Sequence, residues 1–109
     1  MRRLVKPKEP TYPGKVLKDE IDRRAITQRS LSACVGMAYT RMNSILNGKL
    51  PLTTNAAMQI AAALDVEPEL LMEMQIAWDM KHARENEATA ARLAEIREKA
   101  ATKLKRRPI

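Results

Sequence analysis

Apolar residues recur at intervals of three and four along most of the chain, which is the spacing of one face of an α-helix. Three prolines interrupt the pattern in residues 1–13, five helical stripes follow in residues 14–80, and a thinner stripe continues in residues 81–109. Strand-forming residues are scarce and show no alternation. The pattern predicts an all-α protein with an extended N-terminal arm, a five-helix domain and a C-terminal helical extension. The extension is either one continuous helix from Lys81 to Arg107 or a helix that forms on partner binding.

Two of the predicted helices are short and are joined through glycine. Thr27 is suited to cap the first of them, Gly36 to end it in a left-handed turn, and Asn47-Gly48 to close the second through residues that tolerate positive φ. Two short helices joined in this way are typical of a helix-turn-helix motif. The pattern also places Met58 of the fourth helix in the core. The residues expected to pack the two short helices together are Leu31, Ala33, Met42 and Ile45.

The remaining positions of the second short helix carry hydrogen-bonding side chains and no acid. An α-helix fits the major groove of double-stranded DNA, where arginine can pair with guanine and asparagine with adenine. Gln28, in the first turn of the preceding helix, and Lys49, after the loop, are candidates for phosphate contacts. For Gln28 the alternative is an ordinary surface residue. The candidates for base contacts are Tyr39, Thr40, Arg41, Asn43 and Ser44. For Tyr39 the alternatives are a phosphate contact and packing at the start of the helix.

The net charge of +7 is unevenly distributed. Residues 1–24 carry eight Lys or Arg against four Asp or Glu, residues 25–50 three against none, residues 51–80 none against five, and residues 81–109 nine against four. A positive surface confined to part of the molecule suits docking on a polyanion. Charge alone fits an ordinary basic surface equally well, so the DNA-binding hypothesis depends on the helix-turn-helix pattern.

Residue types that catalysis and metal binding require are scarce. His82 is the only histidine, Cys34 is the only cysteine, and three glycines form no phosphate-binding loop. These counts predict no catalytic site, no cofactor, no metal site and no disulfide within the chain. No stretch of roughly 20 apolar residues is present, and no apolar leader follows the first residues. We therefore expect a cytoplasmic protein that does not bind membranes.

Several separated motifs resemble one family of DNA-binding proteins. Residues 27–36 and 45–49, with Thr-Gln leading to Gly and then Ile-Leu-Asn-Gly-Lys, are similar to the phage-repressor-type (XRE) helix-turn-helix. Residues 12–17, Tyr-Pro-Gly-Lys-Val-Leu, resemble the His-Pro-Gly-Glu-hydrophobic-Leu opening of HigA-like antitoxins. Residues 74–80, Met-Gln-Ile-Ala-Trp-Asp-Met, resemble their Leu-Gln-x-x-Tyr-Asp-Leu-like ending. The resemblance spans residues 12–80, with the motifs in the family's order.

Members of that family are homodimeric antitoxins that inhibit a small ribonuclease toxin and repress their shared operon. The resemblance implies three partners, namely a second copy of the chain, double-stranded operator DNA and a HigB-like ribonuclease toxin. Trp78 stands where the family has tyrosine, and the apolar face of its helix is the expected dimer surface. Two alternatives remain: a stand-alone phage-repressor-type transcriptional regulator without a toxin, and a protein-interaction module that binds through the stripe of residues 81–109.

Overall fold

The computed structural model describes Leu4 and residues 6–104. These residues form six α-helices and no β-strand, which confirms the predicted all-α fold. Contacts within the chain group it into two compact units, residues 1–78 and residues 79–109. The helices are α1 (Pro13–Arg23), α2 (Gln28–Val35), α3 (Tyr39–Leu46), α4 (Thr54–Leu64), α5 (Pro68–Glu85) and α6 (Glu87–Lys103).

Helix α1 starts at Pro13, slightly earlier than the sequence pattern indicates. Proline is favourable at the first helical position because its fixed φ is already helical and its missing N–H would have no partner there. Pro13 and Gly14 are both buried, since this turn packs on α3. A Cβ on Gly14 would lie 2.8 Å from Leu46 Cα and would collide with the carbonyl oxygen of Ile45. The close approach of α1 to α3 therefore requires glycine.

A single apolar core holds the first unit together. Every one of the first five helices contributes to it, and Leu4 from the N-terminal segment packs into it as well. Burial of about 1.5–3 kcal/mol per large aliphatic side chain makes this cluster the main stabilising contribution. Its largest fully buried side chains include Leu17, Ile21, Met42, Leu46, Ile60, Leu64 and Leu71.

Two core predictions are wrong. Ala33 is exposed, and its neighbour Ser32 is buried instead, with Ser32 Oγ donating to the Gln28 carbonyl oxygen at 2.8 Å. A one-residue shift in α2 corresponds to a rotation of about 100°, enough to exchange an inward position for an outward one. Met58 is 56% exposed because alanines such as Ala57 and Ala61 fill the inward face of α4 and bring its backbone close to the core.

Two helices end in left-handed residues that are not glycine. Ala25, with φ of 59°, follows α1, and Asp65, with φ of 55°, follows α4. At the end of α3, Gly48 has φ of 75°. The expectation of positive φ is wrong for Asn47, whose φ is −99°. The glycine alone supplies the left-handed residue there.

A buried acid ties the end of α1 to the rest of the domain. Glu20 is 7% exposed and accepts from Arg23 Nη2 at 2.5 Å and from Arg24 Nε at 2.5 Å. These hydrogen bonds, that of Arg23 first, hold the pKa of the Glu20 carboxyl below its usual range, against the opposing effect of burial. Arg24 Nη1 donates to the Leu64 carbonyl oxygen at 2.8 Å, so the same cluster satisfies the end of α4.

A second buried polar group fixes the segment between α3 and α4. Gln75 is 6% exposed, and its Oε1 accepts from the backbone N–H of Leu52 at 2.8 Å. The amide side chain supplies the hydrogen-bond acceptor that a buried loop N–H would otherwise lack. Gln75 thus holds the segment before α4 against α5.

The second unit contains the end of α5 and the whole of α6. The predicted continuous helix from Lys81 to Arg107 is wrong, because Asn86 interrupts it. Asn86 is extended, and its side chain accepts from the backbone N–H of Thr89 at 3.0 Å, which caps α6. No residue of α6 is buried. Residues 105–107 of the predicted helix lie outside the described residues. Within the described part of the chain, no helix combines the length and apolarity needed to cross a membrane.

Candidate nucleic-acid interface

The turn between α2 and α3 is built by local interactions. Thr27 Oγ1 accepts from the backbone N–H of Ser30 at 3.0 Å and caps α2. Gly36, with φ of 76°, ends α2 in a left-handed turn, and its N–H donates to the Ser32 carbonyl oxygen at 2.9 Å. Helix α3 begins three residues later at Tyr39, with no side-chain cap. The cap and the turn predicted from the sequence are both present.

The buried face of α3 determines which of its side chains point outward. Met42, Ile45 and Leu46 are at most 2% exposed and anchor the helix on the core. Because successive residues are about 100° apart, Thr40 and Ser44 lie on the side opposite this stripe, and Tyr39, Arg41 and Asn43 lie towards its edges. The exposed residues of the five are Tyr39, Thr40 and Arg41, and the half-buried ones are Asn43 and Ser44.

A hydrogen bond between two candidate residues connects the two helices. Asn43 Nδ2 donates to Gln28 Oε1 at 2.8 Å, from the middle of α3 to the first turn of α2. Both residues are half-buried, so the bond is partly protected from water. Gln28 is therefore not an unconstrained surface residue, and its orientation is coupled to that of Asn43.

An arginine absent from the sequence-based set lies beside another candidate. The guanidinium carbon of Arg29 is 4.8 Å from the centre of the Tyr39 ring, within the range of a cation–π contact. The contact places an exposed positive charge next to the start of α3. The only sequence signal for Arg29 was its place next to Gln28 in a segment without acids.

The far end of α3 holds Lys49 and a second cation. The backbone N–H of Lys49 donates to the Ser44 carbonyl oxygen at 2.8 Å, which fixes Lys49 close to the helix end. Lys18 of α1 donates from Nζ to Asn47 Oδ1 at 3.0 Å. Lys18 lies 29 positions before Asn47, so sequence reasoning had no signal that would bring them together.

The structure places five of the seven candidates in two groups. Gln28, Asn43 and Tyr39 lie where the two helices meet, and Ser44 and Lys49 lie at the end of α3. Thr40 and Arg41 are exposed on α3 itself. Within the described residues no three histidine, cysteine or acidic side chains cluster as a metal site would require.

Two short helices are joined at a glycine turn, and the second presents an outward polar face without acids. This arrangement defines a helix-turn-helix DNA-binding protein.

Comparisons with known proteins agree with this classification. The model of the Cro/C1-type HTH DNA-binding domain matches residues 16–75. The antitoxin HigA-1 of Vibrio cholerae is 31% identical over 85 residues, which cover 74% of this chain and 80% of that protein.

Solved structures show the same fold. A hypothetical protein from Escherichia coli has a TM-score of 0.75 at 23% identity, with 79% of this chain and 89% of that one covered. The Pseudomonas aeruginosa antitoxin HigA, solved with the higBA promoter, has a TM-score of 0.67 at 20% identity, with 81% and 91% covered.

The chain belongs to the Cro/C1-type helix-turn-helix DNA-binding family and, within it, to the HigA-like antitoxins. The resemblance seen in the sequence is confirmed. The protein is a DNA-binding antitoxin. It is not an enzyme, as the scarcity of catalytic residue types predicted.

Proposed function

We propose that this antitoxin acts as a homodimer that represses its own operon and neutralises a HigB-like ribonuclease toxin. The observation that carries the DNA-binding part is the outward face of α3, where polar side chains stand opposite the buried Met42, Ile45 and Leu46. Residues 25–50 carry three cations and no acid, so this face approaches a polyanion without repulsion.

The bond between Gln28 and Asn43 leaves each side chain with groups for DNA. Asn43 Nδ2 uses one hydrogen on Gln28 and keeps a second, and its Oδ1 remains an acceptor. One donor and one acceptor are what the major-groove edge of adenine pairs with. Gln28 Nε2 keeps both its hydrogens for a phosphate oxygen. We assign Asn43 to a base and Gln28 to the backbone beside it.

The other candidates divide in the same way. Arg41, Thr40, Ser44 and Tyr39 are assigned to bases or to the phosphates flanking them, and Lys49 to a phosphate. Two copies of α3 related by a two-fold axis would enter successive major grooves about 34 Å apart, so the operator is expected to be an inverted repeat with that spacing. Phosphate contacts make the affinity fall as salt rises.

Gel-shift titration on the chain's own promoter and on random DNA tests this assignment. Arg41→Ala should weaken operator binding by about 1–3 kcal/mol, through one base pair, and leave binding to random DNA nearly unchanged. Lys49→Ala is the matched control, because loss of a phosphate contact weakens both DNAs alike. Equal losses on both DNAs for Arg41→Ala would contradict a base contact.

The identity of 31% with antitoxin HigA-1 supports the toxin part of the proposal, and the P. aeruginosa HigA structure with its promoter supports autorepression. Co-expression of the chain with the product of the neighbouring gene, followed by mass measurement and promoter binding of the purified complex, tests toxin, dimer and operator together. Absence of a ribonuclease-like reading frame beside the gene would instead favour a stand-alone transcriptional regulator.

A further inference from the structure

An apolar groove is lined by residues of α4 and α5 and by none of α2 or α3. It has a volume of about 410 Å³. Met58 and Ile76 line it and are 56% and 59% exposed, although both are large apolar side chains. Neither belongs to the core of the first unit. The other residues that line the groove are Thr54, Pro68, Glu69, Met72 and Glu73.

The rim of this groove is acidic. Glu69 and Glu73 line it and are both exposed. They belong to residues 51–80, which contain five acids and no Lys or Arg. Lys6 Nζ lies 3.9 Å from Glu73, but both side chains are more than half exposed, so water and salt screen the pair. An apolar centre with a negative rim remains.

We infer that this groove binds the positively charged RNA-binding surface of the ribonuclease, an inference that rests on the proposed function. A ribonuclease that holds an RNA backbone must present Lys and Arg at its surface, because the phosphates carry the negative charge. Such a surface complements the acidic rim, and apolar side chains within it fit the groove. Residues 25–50, with three cations and no acid, would repel it.

The charge of the rim disfavours a second copy of this chain as the occupant. A two-fold contact uses the same patch on both copies, so an axis through the groove would bring the two grooves face to face. Glu69 and Glu73 of one copy would then face the same acids of the other, and like charges across an interface are unfavourable. The groove is therefore assigned to the toxin and not to a groove-to-groove dimer.

Titration of the full-length chain with the neighbouring gene's product, separated from the co-expressed complex by denaturant and refolded, tests the inference. Two groove variants are compared with matched controls. Ile76→Ser is paired with Ile96→Ser, since Ile96 of α6 is also exposed, at 45%. Glu73→Lys is paired with Asp19→Lys, since each acid lies 3.9 Å from one exposed lysine, and each change adds the same charge.

Ile76→Ser should weaken binding of the gene product about tenfold or more because it alters the apolar centre of the groove. Glu73→Lys should do the same because it sets a lysine against the cations of the toxin, while both controls stay within about twofold of the wild type. Operator affinity and the mass of the free chain should not change. Groove variants that bind like the wild type, or controls that lose as much, overturn the inference.

Three outcomes separate the inference from its alternatives. A shift of Ile76→Ser from dimer to monomer with loss of operator binding shows that the groove is a self-association surface, and this too overturns the inference. A wild-type chain that fails to bind the gene product refutes the proposed function together with the inference. A wild-type chain that binds and inhibits it while the groove variants do the same refutes the inference alone.

Discussion

Replacement of Gly14 by alanine has two effects of opposite sign on the stability of the fold. In a helix, alanine is more favourable than glycine by at most about 1 kcal/mol. Gly14, however, is buried where α1 meets α3, and its Cβ would lie 2.8 Å from Leu46 Cα and closer still to the carbonyl oxygen of Ile45. Both are backbone atoms, so no side-chain rotation relieves the overlap and the two helices must move apart.

The packing effect should dominate. Overpacking a well-packed core costs about 1–3 kcal/mol, and contact with backbone belongs at the upper end of that range. After subtraction of the gain in helix propensity, Gly14→Ala should lower the free energy of unfolding by about 2 kcal/mol. In a domain of this size that corresponds to a fall in Tm of about 8–16 °C. Because α3 carries the residues proposed to contact DNA, operator affinity should fall as well.

Thermal and urea unfolding followed by circular dichroism, with the wild type alongside, measure the effect. Gly36→Ala is the control, because a Cβ there meets no atom within 4 Å and only the φ of 76° opposes it. That strain costs about 1–2 kcal/mol without displacing α3 against α1. A Gly14→Ala variant that melts at or above the wild-type temperature would refute the packing argument, since helix propensity alone predicts that result.

Three further substitutions test other features of the fold. Glu20→Gln should destabilise the domain near neutral pH. Because the folded-state pKa of Glu20 is lowered, its stabilising contribution is full above about pH 5 and is lost as the pH falls through that lowered value. The difference in urea midpoint between the variant and the wild type should therefore be smaller at about pH 3 than at about pH 7. Ala25→Gly should raise the free energy of unfolding by about 0.5–1 kcal/mol, because it removes the strain of φ at 59°, and a lower Tm would count against this. Gln75→Leu should cost about 1–3 kcal/mol by leaving the N–H of Leu52 without its acceptor, with faster amide exchange at Leu52 as the specific readout and unchanged exchange as the contrary result.

Local chemistry in the sequence determined the elements and most of their ends. Thr27 caps α2 because its hydroxyl reaches an N–H three residues on, and Gly36 ends it because glycine adopts positive φ at low cost. The apolar period of α3 was sufficient to place its polar side chains outward, since Met42 and Ile45 have no alternative to the core. The helix-turn-helix motif and the candidate DNA-facing residues follow from these local rules.

The break at Asn86 was also local, yet the sequence pattern alone did not predict it. Strong helix formers stand on both sides of this residue, and its capping bond to Thr89 competes with them. Propensity summed over the stretch favours one helix, whereas the hydrogen bond that decides the outcome involves a single side chain. The interruption therefore needed the geometry of the cap.

Tertiary structure alone decided the remaining features. Ser32 faces inward in place of Ala33, and Met58 faces outward, because rotation of a helix by one residue depends on the neighbours that it packs against. The bond from Asn43 to Gln28 and that from Lys18 to Asn47 join residues 15 and 29 positions apart. Such contacts depend on how α1, α2 and α3 pack, which periodicity along one helix does not specify.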